Sequence, residues 1–210
     1  MKTIALSGYA KSGKDTVANI LVEEFGYKKF AFATKLKECV VALNPIIPYH
    51  VSNNLEVSRL PIMMANMTKQ NYKLSEWLND GFTLEEMKEF PEVRRLLQRM
   101  GTEVGRKIFG PDFWVDQLLN SDEFINCSKR VITDCRFPEE FNAVGFYMDG
   151  QVWRIERPGI GPLNNHISET AIDDFVFDVR VVNSGTIDEL KMIVREIIKQ
   201  EEMEENDTPN

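Results

Sequence analysis

The sequence is poor in the residues that build disulfide frameworks and zinc sites. It contains 3 cysteines and 2 histidines among 210 residues. Cys39, Cys127 and Cys135 form no CxxC pair and no Cys/His cluster, so three free thiols in a reducing compartment are favoured over a disulfide framework. His50 and His166 are too few and too far apart in sequence to hold zinc.

The sequence also lacks a long apolar run and an excess of basic residues. No stretch of about 18 apolar residues is present, and the short apolar segment near the N-terminus does not have the plan of a signal peptide. The 33 acidic and 25 basic residues give a formal net charge of −8. This balance disfavours sequence-independent nucleic-acid binding, which needs a basic footprint, whereas a small anionic substrate needs only a locally positive cleft. We therefore expect a soluble cytoplasmic protein that binds neither nucleic acid nor a membrane.

The N-terminal segment has the pattern of a strand, a glycine-bounded loop and a helix. The strand-like run 3–7, apolar at its centre, leads to Gly8, and Gly13 and Lys14 follow after four intervening residues. In a phosphate-binding loop of this spacing, backbone N–H groups and the helix N-terminus face the phosphates while the lysine neutralises the outer ones. An ordinary turn is the alternative, but the flanking strand and helix patterns favour nucleoside triphosphate binding. The predicted nucleotide contacts are Gly8, Lys11, Ser12, Gly13, Lys14, Asp15 and Thr16.

Asp15 departs from the general loop pattern, which has Ser or Thr directly after the lysine as a ligand of Mg²⁺. The hydroxyl arrives one residue later, at Thr16. Asp15 could hold Mg²⁺ through water, cap the helix, or face solvent and weakly repel the phosphates. The residues alone leave these three roles open.

Strand-like and helix-like runs alternate at both ends of the chain, around a helical, proline-punctuated middle. This interleaving predicts an α/β fold with a five-stranded parallel sheet. Residues 45–119 show no alternation long enough to join that sheet and are predicted to form a helical insert. The predicted strands are 3–7, 28–33, 130–134, 151–156 and 179–183.

A run of arginines lies within the predicted insert. If it is helical, its basic, amide and hydroxyl side chains share one flank at three- and four-residue spacing, and such a face suits a phosphate monoester and a base edge. The alternative is a solvated helix surface with i,i+4 partners such as Glu103. The flank consists of Arg95, Gln98, Arg99, Thr102 and Arg106.

Two further polar clusters follow strands of the predicted sheet. Asp134 and Arg136 come at the carboxyl end of a strand, the end that faces the ligand crevice in open parallel sheets, where a carboxylate orients Mg²⁺ waters and an arginine reaches a phosphate or base. Alternatively, they only close the strand and cap the next helix. After residue 156, a Gly/Pro hinge leads to polar residues and is typical of a mobile flap. There, His166 and Glu169 could equally be a surface residue and a first-turn acid.

Taken together, these segments resemble the deoxynucleoside monophosphate kinases of bacteriophages, within the larger group of P-loop nucleoside monophosphate kinases. The resemblance spans nearly the whole chain, and only the loop is diagnostic by itself. Lys-Asp-Thr is usual in this family, so Asp15 does not depart from the family's pattern. The matching segments are Gly8–Thr16, Arg95–Gln98, Gly101–Glu103 with Trp114, Asp134–Arg136, Arg157–Gly159, His166–Glu169 and Val182–Leu190.

The resemblance implies a three-layer P-loop kinase fold and transfer of the ATP γ-phosphoryl group, with Mg²⁺, to a dNMP to give dNDP for DNA precursor synthesis. It implies a core of residues 1–44 and 120–210, a monophosphate-binding insert at 45–119 and a lid at 157–178. No general base is needed, because a phosphate monoester with a second pKa of about 6 is already an anionic nucleophile at neutral pH. A homodimer in the cytoplasm, of the host if the protein is phage-encoded, is also expected.

The resemblance also implies roles for individual residues. The expected catalytic residues are Lys14, Arg136 and Arg157. Of these, Arg157 is expected to act when the lid closes. Asp15, Thr16 and Asp134 are expected near Mg²⁺. The expected substrate contacts are Arg95, Gln98, Thr102, Arg106, Trp114, Asp134, Arg136, His166 and Glu169.

Two other functions stay open on the sequence alone. Dephospho-coenzyme A kinases share the loop style and the closing segment of the chain. A P-loop switch or ATPase subunit would hydrolyse nucleotide or bind another macromolecule. The arginine-rich insert favours a small acceptor, and a switch is expected to carry Ser or Thr after Lys14.

The methionines Met63, Met64 and Met67 could belong to a core or to an interface.

Overall fold

The computed structural model describes residues 1–48 and 71–207. These residues form two compact units, one of residues 1–32 together with those from 115 onward, and one of residues 33–114. Within the described ranges, no helix is both long enough and apolar enough to cross a bilayer. Met63, Met64 and Met67 lie outside the described residues.

Strands and helices alternate along the chain. The strands are β1 (Lys2–Ser7), β2 (Lys28–Phe30), β3 (Ile46–Pro48), β4 (Asn71–Lys73), β5 (Lys129–Ile132), β6 (Gln151–Glu156) and β7 (Val179–Val182). The helices are α1 (Lys14–Phe25), α2 (Thr34–Leu43), α3 (Leu74–Asn79), α4 (Leu84–Met87), α5 (Pro91–Arg99), α6 (Phe113–Leu119), α7 (Asp122–Ile125), α8 (Pro138–Met148) and α9 (Ile187–Asp207). A π-helical segment (Met100–Phe109) follows α5, and a short 3₁₀ helix (Ile167–Glu169) precedes β7.

The first unit contains the five-stranded parallel sheet that the sequence predicts. Its strand order is β2-β5-β1-β6-β7, and every neighbouring pair is parallel. The central strand, β1, pairs with β5 through Ile4 opposite Val131 and with β6 through Leu6 opposite Trp153. Because the strands are parallel, their carboxyl ends meet at one edge of the sheet, and the loops that follow β1, β5 and β6 begin there.

Helices cover both faces of this sheet, so the predicted three-layer α/β fold is confirmed. On one face, α1 and α9 pack on a cluster that includes Ile4 and Leu6. On the other face, α8 packs on a cluster that includes Ala5 and Val152. Alternate residues of a strand point to opposite faces, and burial on both faces explains why three consecutive residues in the middle of β1, Ile4 to Leu6, are apolar.

The second unit is mostly helical and has its own core around Trp77. This ring is fully buried and contacts the rings of Tyr72, Phe82 and Phe90. The short strands β3 and β4 pair antiparallel with each other and do not join the five-stranded sheet. The predicted insert, 45–119, overlaps this unit, which also includes α2. Its role in binding a monophosphate stays a prediction.

Candidate functional site

The loop between β1 and α1 needs glycine at both of its ends. Gly8 has a φ of 142°, and a Cβ there would collide with the carbonyl oxygen of Ile155. Gly13 has a φ of 106°, and a Cβ there would collide with the side-chain amide of Asn183. Asn183 also donates a hydrogen bond from Nδ2 to the carbonyl oxygen of Ser12, at 2.9 Å. Close approach and backbone conformation therefore both require glycine, as in a loop that brings its amides to a phosphate.

Lys14 begins α1 and is only 9% exposed. Its Nζ donates to the carbonyl oxygens of Gly8, at 2.6 Å, and Tyr9, at 2.7 Å. Burial, reinforced by the positive charge of Arg136, lowers the pKa of Lys14 from 10.5 to about 8. An anion at this loop would replace part of the lost hydration, so the arrangement favours a phosphate group beside Nζ.

The other predicted loop contacts differ in their exposure. Lys11 is exposed and has a positive φ of 65°. Ser12 is buried, and within the described residues its Oγ has no hydrogen-bond partner. Asp15 is exposed and Thr16 is half-buried, both in the first turn of α1. Their roles as nucleotide or metal contacts stay predictions.

Arg136 lies beyond the carboxyl end of β5, and carboxylates hold it at both its backbone and its side chain. Its N–H and that of Phe137 donate to Glu140 Oε2, at 2.8 and 3.1 Å. Its Nη1 donates to Glu169 Oε1, at 3.0 Å. The structure thus brings together two predicted site residues, Arg136 and Glu169, that lie 33 positions apart in sequence. Glu140, which positions Arg136, was not among the predicted residues, although a glutamate two residues after Pro138 is a recognisable helix-start signal.

Asp134 occupies the same turn but is directed to the backbone of a neighbouring segment. Its Oδ1 accepts a hydrogen bond from the N–H of Phe32, at 2.8 Å. This contact joins the residues after β5 to those after β2. Asp134 therefore has a structural role, and its contact with Mg²⁺ or substrate stays a prediction.

The segment predicted as a lid has an exposed first part and an anchored second part. Arg157, one of the predicted catalytic residues, is exposed. His166 stands at the N-cap of the 3₁₀ helix, where its Nδ1 accepts from the N–H of Ser168. Ile172 and Phe177, in contrast, are buried in the core cluster on the α8 face of the sheet. A movement of this segment would therefore be confined to the residues before Ile172.

A buried arginine that was not predicted from the sequence lies beside the loop. Arg154, in β6, is 6% exposed and donates to Ser7 Oγ, at 3.1 Å, and to Asp173 Oδ1, at 2.6 Å. Asp173 also accepts from the hydroxyl of Tyr9, within the loop. The signal was a charged residue inside an otherwise apolar strand, since arginine is seldom fully buried without a partner.

In the second unit, the predicted arginine flank is largely paired within its own helices. Arg95 donates to both carboxylate oxygens of Glu92, at 2.8 and 2.6 Å. Arg99 donates to Glu103, at 3.2 Å, which is the i,i+4 pair of the alternative interpretation. Gln98 is half-buried.

The π-helical segment changes the spacing on which that flank was based. A π-helix closes its hydrogen bonds between residues five apart, so Thr102 and Arg106 are not set at α-helical spacing from Arg95. Arg106 donates from Nη1 to the carbonyl oxygen of Gly101, at 3.0 Å. Trp114 donates its ring N–H to the same oxygen, at 2.9 Å, and is 2% exposed. Trp114 therefore supports this segment, and its direct contact with substrate stays a prediction.

Within the described residues, no group of three or more His, Cys, Asp or Glu side chains could by itself hold a metal ion. Mg²⁺ does not require such a group, because it is usually bound through one or two carboxylates, waters and the phosphates of the substrate. The half-buried Thr16 and exposed Asp15 beside the loop fit such an open site.

Comparison with known proteins places the chain in a family. The model of the family described as deoxynucleotide monophosphate kinase matches residues 2–60 and 48–194. The chain is 23% identical over 245 residues to the deoxynucleotide monophosphate kinase of Escherichia phage RB69, covering 95% of this chain and 100% of the relative. It is 23% identical over 240 residues to that of Enterobacteria phage T4, covering 95% and 99%.

Among solved structures, a dephospho-CoA kinase from Campylobacter jejuni is 16% identical, covering 95% of this chain and 97% of that one. Its TM-score of 0.44 is too low to bear on which reaction this chain catalyses. The family match, by contrast, extends over most of the sequence and includes the glycine loop, the Arg136 turn and the strand of Arg154. This chain belongs to the deoxynucleotide monophosphate kinase family, a family of phosphotransferases.

Proposed function

We propose that this protein transfers the γ-phosphoryl group of ATP to a deoxynucleoside monophosphate, giving ADP and a dNDP. The observation that carries the proposal is the buried Lys14, on a loop whose two end glycines leave no room for a Cβ. The charge of Arg136 is close enough to lower the pKa of Lys14, so two cationic side chains lie near each other at the carboxyl edge of the sheet. That combination supports a site for a polyphosphate and a second phosphate group.

The reaction demands positioning and charge more than acid–base chemistry. An oxygen of the acceptor phosphate forms a bond to the γ-phosphorus of ATP, the bond from that phosphorus to the bridging oxygen breaks, and ADP leaves. Lys14 would stabilise the charge on the β- and γ-phosphates, with the Gly8 and Gly13 backbone beside them. Arg136, oriented by Glu140, would hold the transferred or accepting phosphate. No side chain has to remove a proton.

Asp15, Thr16 and Asp134 are the residues that would hold Mg²⁺ at this site. When bound, the ion neutralises charge on the β- and γ-oxygens. The acceptor would be bound by the insert through Arg95, Gln98, Thr102 and Arg106, with Trp114 supporting their segment. These assignments of Mg²⁺ and acceptor contacts rest on the family resemblance. A homodimer in the cytoplasm also belongs to the proposal.

Closure over the substrates would use the exposed part of the 157–178 segment. Arg157 and His166 lie in that part, before the residues that are buried in the core. Glu169 is paired with Arg136. On closure it would either move together with the exposed part of the segment or break this ion pair, which would leave Arg136 able to bind the phosphate.

The test is an ADP-release assay with ATP and Mg²⁺ against a panel of dNMPs, NMPs and dephospho-coenzyme A, with the phosphorylated product identified by chromatography. We expect release that depends on one or more dNMPs and that falls by at least about 10²-fold in Lys14→Ala. Lys28→Ala, which removes an exposed lysine paired with Glu123, is the matched control and should keep full activity. Release without an acceptor would indicate an ATPase or switch, and release only with dephospho-coenzyme A would indicate that other kinase.

A further inference from the structure

Arg154, itself buried, is the centre of a polar network beside the phosphate loop. Its Nη1 donates to Ser7, the last residue of β1, and its Nη2 donates to Asp173. The guanidinium also lies over the rings of Tyr9, at 4.8 Å, and Phe177, at 5.4 Å. A carboxylate, a hydroxyl and two aromatic faces thus stabilise this buried cation.

Tyr9 connects this network to the loop from inside the loop itself. It follows Gly8, and its hydroxyl donates to Asp173 Oδ2 while its ring packs under Arg154. Its backbone carbonyl oxygen accepts from Lys14 Nζ, at 2.7 Å. A shift of the Tyr9 ring would therefore move the backbone to which the phosphate-binding lysine is bonded.

Asp173 gives the network a fixed support. It follows Ile172, which is 2% exposed in the core cluster, and it precedes Phe177 of the same cluster. Its two carboxylate oxygens are divided between two partners, Oδ1 for Arg154 and Oδ2 for Tyr9. The hydrogen bond from the Tyr9 hydroxyl to this carboxylate therefore restrains the loop against the core.

We infer that Tyr9, Arg154 and Asp173 hold the phosphate loop in the conformation that binds ATP, with Arg154 and Asp173 as positioning residues. The inference rests on the proposed function for the identity of the ligand, but the loop conformation is measurable without any ligand. Arg154 itself is not expected to contact phosphate, because it is buried, pairs with Asp173, and already donates from each of its terminal nitrogens, to Ser7 and to Asp173. It acts through Asp173 and the Tyr9 ring.

The least disruptive test is Tyr9→Phe, which removes only the hydroxyl, paired with Asp173→Asn and the double variant. Affinity for ATP is measured by titration calorimetry, and hydrogen exchange is measured at the amides of residues 8–13 in the unliganded protein. We expect each single variant to weaken ATP binding by about tenfold, because each removes a hydrogen bond to a charged group. The double variant should be no weaker than Asp173→Asn, since both changes remove the charge-assisted hydrogen bond between the Tyr9 hydroxyl and the Asp173 carboxylate. Loop amides should exchange faster in all three, while affinity for dNMP stays unchanged.

Two control variants distinguish this effect from a general loss of stability. Tyr147→Phe removes a hydroxyl from a residue that is 75% exposed, and Arg180→Lys alters an arginine that also lies over the Phe177 ring but pairs with an exposed glutamate. Both controls should bind ATP as the wild type does, whereas Arg154→Lys, which cannot serve two partners with one planar group, should behave like Asp173→Asn.

Additive losses in the double variant, or unchanged loop exchange and ATP affinity in Tyr9→Phe, would overturn the inference. A wild-type protein that binds ATP but phosphorylates no dNMP would overturn the proposed function instead and leave the role of the network standing. If the wild type bound no ATP, faster exchange of the loop amides in Tyr9→Phe would still decide whether the network holds the loop.

Discussion

Lys14 carries a positive charge at a position with little access to water. Its pKa of about 8 in the folded protein lies below the ordinary value of 10.5, because burial disfavours the charged form. Between these two pH values the unfolded chain keeps a proton that the folded chain has lost, so the contribution of this group to stability rises with pH across that window. Below about pH 8 the cost of burying the charge is fully present.

Nucleotide binding should reverse this shift, because phosphate oxygens favour the charged lysine. At about pH 8.5 we therefore expect ATP binding to take up a fraction of a proton, measured by calorimetry in two buffers of different ionisation enthalpy. Lys14→Met should show no such uptake in any binding that it retains. Equal heats in the two buffers for the wild type would contradict this account of Lys14.

Arg136 should not tolerate replacement by lysine. A lysine keeps the charge but loses the planar, forked donor that contacts Glu169 and is proposed to hold a phosphate. We expect Arg136→Lys to lower kcat/KM for the dNMP by about 10²-fold, with a change in melting temperature of no more than a few degrees. Steady-state kinetics with varied dNMP measures it. Arg195→Lys, which alters an exposed forked pair with Glu24, is the matched control, and equal activity of the two variants would remove Arg136 from the site.

The extent to which single residues could be predicted depends on how local their signal is. The glycines and Lys14 of the loop follow from spacing within a few residues, and the structure gives a physical reason for each glycine. Asp173 contacts residues at distant positions in the chain, and nothing in its neighbourhood marks it. The pairing of Arg136 with Glu169 is of the same kind, because it exists only after the sheet has brought the 3₁₀ helix and the strand end together.

At the scale of elements, the π-helical segment is packed so closely against Trp114 that a side chain at Gly105 would be destabilising. A Cβ at Gly105 would overlap the indole of Trp114, which is itself fixed by its bond to Gly101. We expect Gly105→Ala to destabilise the protein by about 1–3 kcal/mol through overpacking, seen as a lower midpoint in denaturant.

Gly145 provides the comparison within an ordinary helix. It lies in α8, and a methyl group at its Cα would have nothing within 4 Å, so Gly145→Ala should stabilise the protein by about 0.5–1 kcal/mol. A Gly105→Ala variant as stable as Gly145→Ala would show that the segment repacks freely around Trp114.

The five strands of the sheet were predictable from short runs of β-branched, apolar and aromatic residues, although β2 buries only Phe30 and β7 only Val181. Their ends differ from the prediction by up to three residues: β2 ends at Phe30 instead of 33, whereas β1 begins one residue earlier, at Lys2. The π-helical segment was not predictable, since the predicted flank from Arg95 to Arg106 assumed α-helical periodicity. The pair β3 and β4 was also missed, because strands of three residues each carry almost no periodic signal.

At the scale of the whole molecule, the net negative charge predicts that nucleic acids are poor partners. A net charge of −8 and a pI of about 5.0 oppose binding to a polyanion unless a basic surface is concentrated in one place. We expect no shift of double-stranded DNA in a native gel at about 50 mM salt, with protein in the micromolar range. A salt-dependent shift would show that a local basic surface outweighs the net charge.

The bond between Asn183 and the loop has a consequence for how the protein is made. Nδ2 of Asn183 reaches a carbonyl that lies 171 positions earlier in the chain, at Ser12. The phosphate loop is therefore translated long before the side chain that packs on it. A nascent chain released before residue 183 would contain the complete loop sequence and lack the side chain packed against it, so the ability to retain nucleotide should arise only after residue 183 has been added.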